Sequence, residues 1–142
     1  MAQLQPYCAI EGNDDGLPVV FVHGMGVDHR SLMMLDKAFD GNDSIRRIYL
    51  DLPGFGRTPA LPEHACGLPE MADWLQTAID GLVGKAAPFA MVGNSMGGAL
   101  VREVLAREPR RVAGMALIAP VADPQLSLIH ISEPTRLRCS AY

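Results

Sequence analysis

Aromatic residues are scarce, at 6% of 142 positions. A core cannot rest on stacked rings and must come from Val, Leu, Ile, Ala and the eight Met. Basic residues are short too: 12 Lys plus Arg stand against 16 Asp plus Glu, a formal charge of −4. That excludes the basic stripe of a nucleic-acid-binding domain, so no nucleic-acid partner is expected. No apolar run approaches the roughly 18–20 residues of a membrane span, and no membrane partner is expected. No basic-then-apolar opening of a secretory leader is seen in the short stretch of residues 1–6. Cysteine is limited to Cys8, Cys66 and Cys139, odd in number and unrelated in spacing. Free thiols in a reducing, cytoplasmic setting are the expectation. These cysteines and the four histidines are scattered, without metal-ligand spacing. Repeats and low-complexity segments are missing as well. What remains, 49% hydrophobic and 20% charged, is globular composition, and the length sets a limit of one domain.

Within that composition, strand-like and helix-like segments alternate. Residues 18–22 form a short apolar run that ends in His23-Gly24, a buried strand feeding a tight turn. Leu32, Leu35 and Phe39 fall at helical spacing within residues 30–39, with Asp28 as candidate cap and Gly41-Asn42 as stop. Residues 45–50 read as a second buried strand. The stretch 51–64 holds Pro53, Gly54, Gly56, Pro59 and Pro62 and reads as a long loop. Met71, Trp74, Leu75, Ala78 and Leu82 then mark one face of a helix, with Pro69 in its first turn and Gly84 as stop. Residues 89–92 form a third strand, 93–98 a glycine-rich turn, and 96–107 a helix halted by Glu108-Pro109. Residues 112–119 add a strand, and 7–10 are a candidate for one more at the start. Strands buried on both faces and separated by helices predict an α/β fold: a parallel, doubly covered sheet.

Between the third strand and its helix stands Gly93-Asn94-Ser95-Met96-Gly97-Gly98, a G-x-S-x-G. A serine nucleophile has to stand clear of the sheet on a sharp, strained turn. Side chains two positions to either side would collide there, so glycine is wanted at Gly93 and Gly97. The following helix aims its N-terminal N–H groups at charge developing near Ser95, with the Met96 N–H as one donor. On its own the motif is weak; between a buried strand and an amphipathic helix it identifies Ser95 as the candidate catalytic residue.

Two further turns carry a resemblance. His23-Gly24-Met25-Gly26 follows the first central strand, and Asp51-Leu52-Pro53-Gly54-Phe55-Gly56 follows the second. Together with the serine turn, in this order and on these elements, they resemble the α/β-hydrolase superfamily over residues 7–123. The resemblance implies that the Met25 N–H is the second oxyanion donor, on a turn shaped by Gly24 and Gly26. It implies that His23 braces this turn and that Asp51 shapes the loop after it. The implied activity is hydrolysis of an ester-like carbonyl in a small-molecule substrate, with no cofactor and no metal.

Such a serine needs a histidine base and an acid later in the chain. His23, His29 and His64 all precede Ser95 and read as loop or supporting residues. Asp123 and His130 follow in the right order, but the stretch between them leaves no room for the family's later strands. The run Leu126-Ser127-Leu128-Ile129-His130-Ile131-Ser132-Glu133-Pro134-Thr135-Arg136 resembles a translated transposase-type sequencing adaptor. The expectation is therefore a truncated α/β-hydrolase fold in residues 1–125, with a non-native tail in 126–142 and an inactive fragment. Two alternatives stand beside it. One is a dinucleotide-binding oxidoreductase domain, for which Gly24-Met25-Gly26 fits but His29 occupies the third glycine position. The other is a non-catalytic fragment or interaction module.

Overall fold

A computed structural model describes residues 5–121. The tail expected to be non-native lies outside the described residues. In chain order the elements are β1 (Cys8–Gly12), β2 (Leu17–Val22), α1 (Arg30–Met33), a 3-10 turn (Asp36–Phe39), β3 (Ile45–Leu50), a second 3-10 turn (Glu63–Ala65), α2 (Leu68–Val83), β4 (Phe89–Asn94), α3 (Met96–Arg107) and β5 (Val112–Ile118). The strands form one sheet in the order β1-β3-β2-β4-β5. β2 lies at its centre, parallel to β3 on one side and to β4 on the other. β4 and β5 are parallel as well.

The sheet is not parallel throughout, which corrects one expectation. β1 runs against β3, with Cys8 opposite Leu50 and Gly12 opposite Arg46. Residues 13–16 are too few for a crossover, which takes about a dozen or more residues, so the chain simply reverses. β3 then enters beside this link, where Asn13 donates to the Ile45 carbonyl at 3.1 Å and Leu17 to that of Ser44 at 2.9 Å.

The alternation of side chains along β2 divides the core in two. Val20 and Val22 face α2 and α3, packing with Leu75, Ile79, Leu100, Val101 and Val104. Val19 and Phe21 face the other way, onto Tyr49, Leu32 and Phe39. The centre of the sheet is thus covered on both faces, as expected. β5 is not. Its Ala113, Gly114 and residues 116–118 are exposed, because β4 is its sole strand partner among the described residues.

The expected helix over residues 30–39 is broken into α1 and the first 3-10 turn. At three residues per turn, positions i and i+3 project alike. Asp36 and Phe39 therefore both reach the sheet. Phe39 meets Phe21 edge-on at 5.9 Å, and Asp36 takes a bond from Arg47 Nε at 2.6 Å and one from the Tyr49 hydroxyl at 2.8 Å. α2 follows its sequence pattern, with Pro69 in the first turn and Gly84 leaving at φ +100°. Of the cysteines, Cys8 is free.

Candidate active site

The C-terminal ends of β2, β3 and β4 bring the three sequence turns together. Ser95 sits between β4 and α3 at φ +52°, ψ −117°, a region that L-residues occupy only under constraint. The constraint is visible in its hydrogen bonds. The Ser95 N–H donates to the Ile118 carbonyl at 3.0 Å, and its own carbonyl accepts from Gly98 at 2.9 Å and Val121 at 3.2 Å. The glycines of the motif are needed for space. A Cβ on Gly93 would lie 2.6 Å from Val101 Cγ2, and one on Gly97 would run into the Val22 and His23 carbonyl oxygens. The tightness of the turn thus depends on both positions being bare. Met96 opens α3, so its N–H lies in the first turn, where no helical acceptor precedes it.

The turn at Gly24 abuts this serine. A Cβ added to Gly24 would stand 3.1 Å from Ser95 Cβ. Met25 follows with its side chain 51% exposed, and Gly26 carries the chain onward at φ +78°. His23 is fully buried behind the turn. Its Nδ1 lies 2.7 Å from the Gly24 carbonyl, and its Nε2 accepts from the Leu52 N–H at 2.9 Å. Nδ1 therefore carries the proton and donates. Burial holds the ring's pKa below the usual value, in keeping with a neutral brace.

Asp51, also fully buried, closes the third side. Its carboxylate accepts from the His29 N–H and from His29 Nδ1, both at 2.8 Å, and from the Arg57 N–H at 3.0 Å. Gly56 lets the chain pass, since a Cβ there would run into that carboxylate. Asp28, His29 and Asp51 are grouped closely enough to suggest metal ligation. Arg30, however, holds the Asp28 carboxylate through contacts of 2.7 to 3.1 Å and pulls its pKa down to about 2. With Asp51 already bonded to N–H groups, the cluster is a hydrogen-bonded knot and not an open ligand set.

Ser95, Gly93, Gly97, Met96, Gly24, Met25 and Gly26 thus share one corner of the fold. Among the described residues no hydrogen bond joins Ser95 Oγ to His23, His29 or His64. His64 is exposed on the second 3-10 turn. Asp123 and His130 lie outside the described residues. Sequence reasoning saw the His23 brace but missed the His29–Asp51 bond, because a contact across 22 residues has no periodic signature. It also missed Ala119, which takes φ +40° just past β5, beside the Ile118 carbonyl that receives the Ser95 N–H.

Comparison with known proteins bears on the family and the fold. Residues 18–138 match the alpha/beta hydrolase fold family. A dihydrolipoyllysine-residue acetyltransferase component of an acetoin cleaving system from Pseudomonas putida is 34% identical over 108 residues, covering 76% of this chain and 28% of that protein. A pimeloyl-[acyl-carrier protein] methyl ester esterase from Legionella pneumophila is 32% identical over 106 residues, covering 72% and 38% respectively. Among solved structures, an alpha/beta superfamily hydrolase from Oenococcus oeni superposes with a TM-score of 0.72 at 27% identity, covering 83% of this chain and 45% of that one. The chain thus spans less than half the length of these relatives. The dinucleotide-binding alternative finds no support among them. With the family match running across most of its length, the chain belongs to the alpha/beta hydrolase fold family.

Proposed function

We propose that this chain is the nucleophile-bearing half of a serine hydrolase that cleaves an ester-like bond in a small molecule. The strained backbone of Ser95 carries the reading. A non-glycine residue at φ +52° is held there by contacts from β5, α3 and the bare glycines on either side. Strain of this kind costs about 1–3 kcal/mol and persists where the surroundings over-determine it. Its effect here is to lift Oγ off the sheet at the head of α3. Relatives named as esterases support the ester-like substrate class.

In the proposed reaction, Ser95 Oγ attacks the carbonyl carbon while its proton passes to a histidine base outside the described residues. The carbonyl oxygen gains negative charge and takes hydrogen bonds from the Met25 and Met96 N–H groups. Collapse expels the alcohol, which leaves with the proton, and water then hydrolyses the acyl-enzyme. Aiming fixed N–H donors at the developing charge is the largest service this half of the protein performs. We also propose that residues 126–142 are foreign to the natural protein, and that the 142-residue chain is inactive for want of a base.

The test is a protein extended from Gln125 by the source gene's own downstream sequence. Ser95→Ala in that protein will lower ester turnover on the order of 10⁶-fold, the scale of removing a triad serine. Near-normal turnover would refute the assignment. The 142-residue chain will label with a fluorophosphonate far more slowly than the extended protein. Comparable, Ser95-dependent labelling would locate a base within the short chain and bring Asp123 and His130 forward.

A further inference from the structure

We propose that His29 and Asp51 are positioning residues for the oxyanion turn, an inference that rests on the serine hydrolase reading above. Residues 25–28 hang between two anchors. At the near end, His23 holds the Gly24 carbonyl through Nδ1 and the Leu52 N–H through Nε2. At the far end, Asp51 holds both the N–H and the ring of His29. Both anchors end on adjacent residues, 51 and 52, at the end of β3. Between them the turn has little packing of its own, since Met25 is 51% exposed and Val27 42%. The direction of the Met25 N–H is therefore set by the anchors rather than by a surrounding core.

Fold stability alone does not call for this arrangement. A carboxylate with no exposure at all is costly to bury unless its oxygens are satisfied. Here they are satisfied by His29 and by the main chain of Arg57, from the loops on either side of the site. Gly56 is bare to allow the second approach. The Tyr7 ring lies 5.2 Å from the His29 ring, and the Tyr7 carbonyl accepts the Asp51 N–H at 2.9 Å. The His29 ring and the Asp51 main chain thus both meet Tyr7, just ahead of β1. With Asp51 accepting, His29 Nδ1 is the protonated nitrogen, and the ring acts as a fixed strut.

The test uses the protein extended by its gene's downstream sequence and compares His29→Ala, His29→Asn and Asp51→Asn. An Asn side chain places an N–H donor about where His29 Nδ1 stands, so His29→Asn keeps the bond that His29→Ala loses. Deleting an oxyanion donor costs about 10²–10³-fold in rate, and misaiming one will cost about tenfold. Expected for His29→Ala and Asp51→Asn is that loss in kcat with KM within about twofold, and recovery of most of it in His29→Asn. Labelling with ¹⁵N-methionine supplies a readout independent of turnover. The Met25 N–H order parameter will fall below about 0.6 in His29→Ala while that of Met96 stays near 0.85. Equal behaviour of the Ala and Asn variants, a loss confined to KM, or an unchanged Met25 amide would each overturn the proposal. Ser95→Ala run in parallel separates the two ideas: if it retains turnover the hydrolase reading fails, while the Met25 amide still judges the anchor.

Discussion

His23 and Ser95 show how a single residue can be fixed by its surroundings against its own preference. His23 prefers water, yet it is fully buried with both ring nitrogens bonded to the main chain. Burial depresses its pKa below the ordinary 6.5, so the unfolded state takes up a proton that the folded state refuses. Its contribution to stability is therefore complete above that value and is lost as pH falls below it. The expected slope is up to about 1.4 kcal/mol per pH unit. Urea midpoints taken between about pH 7.5 and about 5 will show the decline, and His23→Asn will flatten it. The carboxylates of Asp28 and Asp36, held below their usual range by Arg30 and Arg47, titrate too low to mimic it. An equal slope in the variant would place the titrating group elsewhere. At Gly97 the conflict is steric. Ala there will destabilise by about 3 kcal/mol or more, because the Cβ meets backbone oxygens that have no rotamer by which to move aside. A denaturation midpoint close to the parent's would contradict this.

At the scale of elements, the first 3-10 turn depends on one side-chain network. Arg47, buried on β3, donates to Asp36 through Nε at 2.6 Å and Nη2 at 3.3 Å, and lies over the Phe39 ring at 5.5 Å. Removing one partner of a buried ion pair costs about 3–5 kcal/mol. Asp36 keeps a quarter of its side chain in solvent, so the loss in Arg47→Met will be smaller, about 1–3 kcal/mol. Amide exchange will show the turn opening before β3 does. Uniform loss of protection would mean that the network supports the whole sheet instead. The same element shows where sequence pattern stops being informative. Leu32, Leu35 and Phe39 satisfy a helical period, but the pattern carries no trace of Arg47 drawing Asp36 onto a strand formed later in the chain. α2 and α3, with longer apolar stripes, were legible almost to the residue, since their burial follows from their own period. The long loop after β3 was legible from Pro53, Gly54, Gly56 and Pro59, while the tie from Asp51 to His29 was not.

Across the whole molecule, the two outer strands differ. β1 is short and paired antiparallel to β3. β5 presents exposed Leu117 and Ile118 and has a strand on one side only among the described residues. An unpaired apolar edge is a template for pairing with another chain. Sedimentation velocity on the 142-residue chain will therefore show association that grows with concentration, reduced by Ala116→Lys. A single monomeric species at all concentrations, with Ala116 intact, would dispose of this. Among the described residues no helix is long and apolar enough to cross a membrane.

The order of strands and helices, the serine turn and its two companion turns follow from the sequence alone. Each depends on neighbours within one turn or one strand, where period and glycine placement act directly. Tertiary structure alone decided that β1 runs antiparallel and that residues 30–39 break into two turns. It alone decided that His29 and Asp51 tie the first turn to the second. Those outcomes rest on contacts between residues tens of positions apart, which exist only once β3 lies between β1 and β2 and the strand ends share one edge.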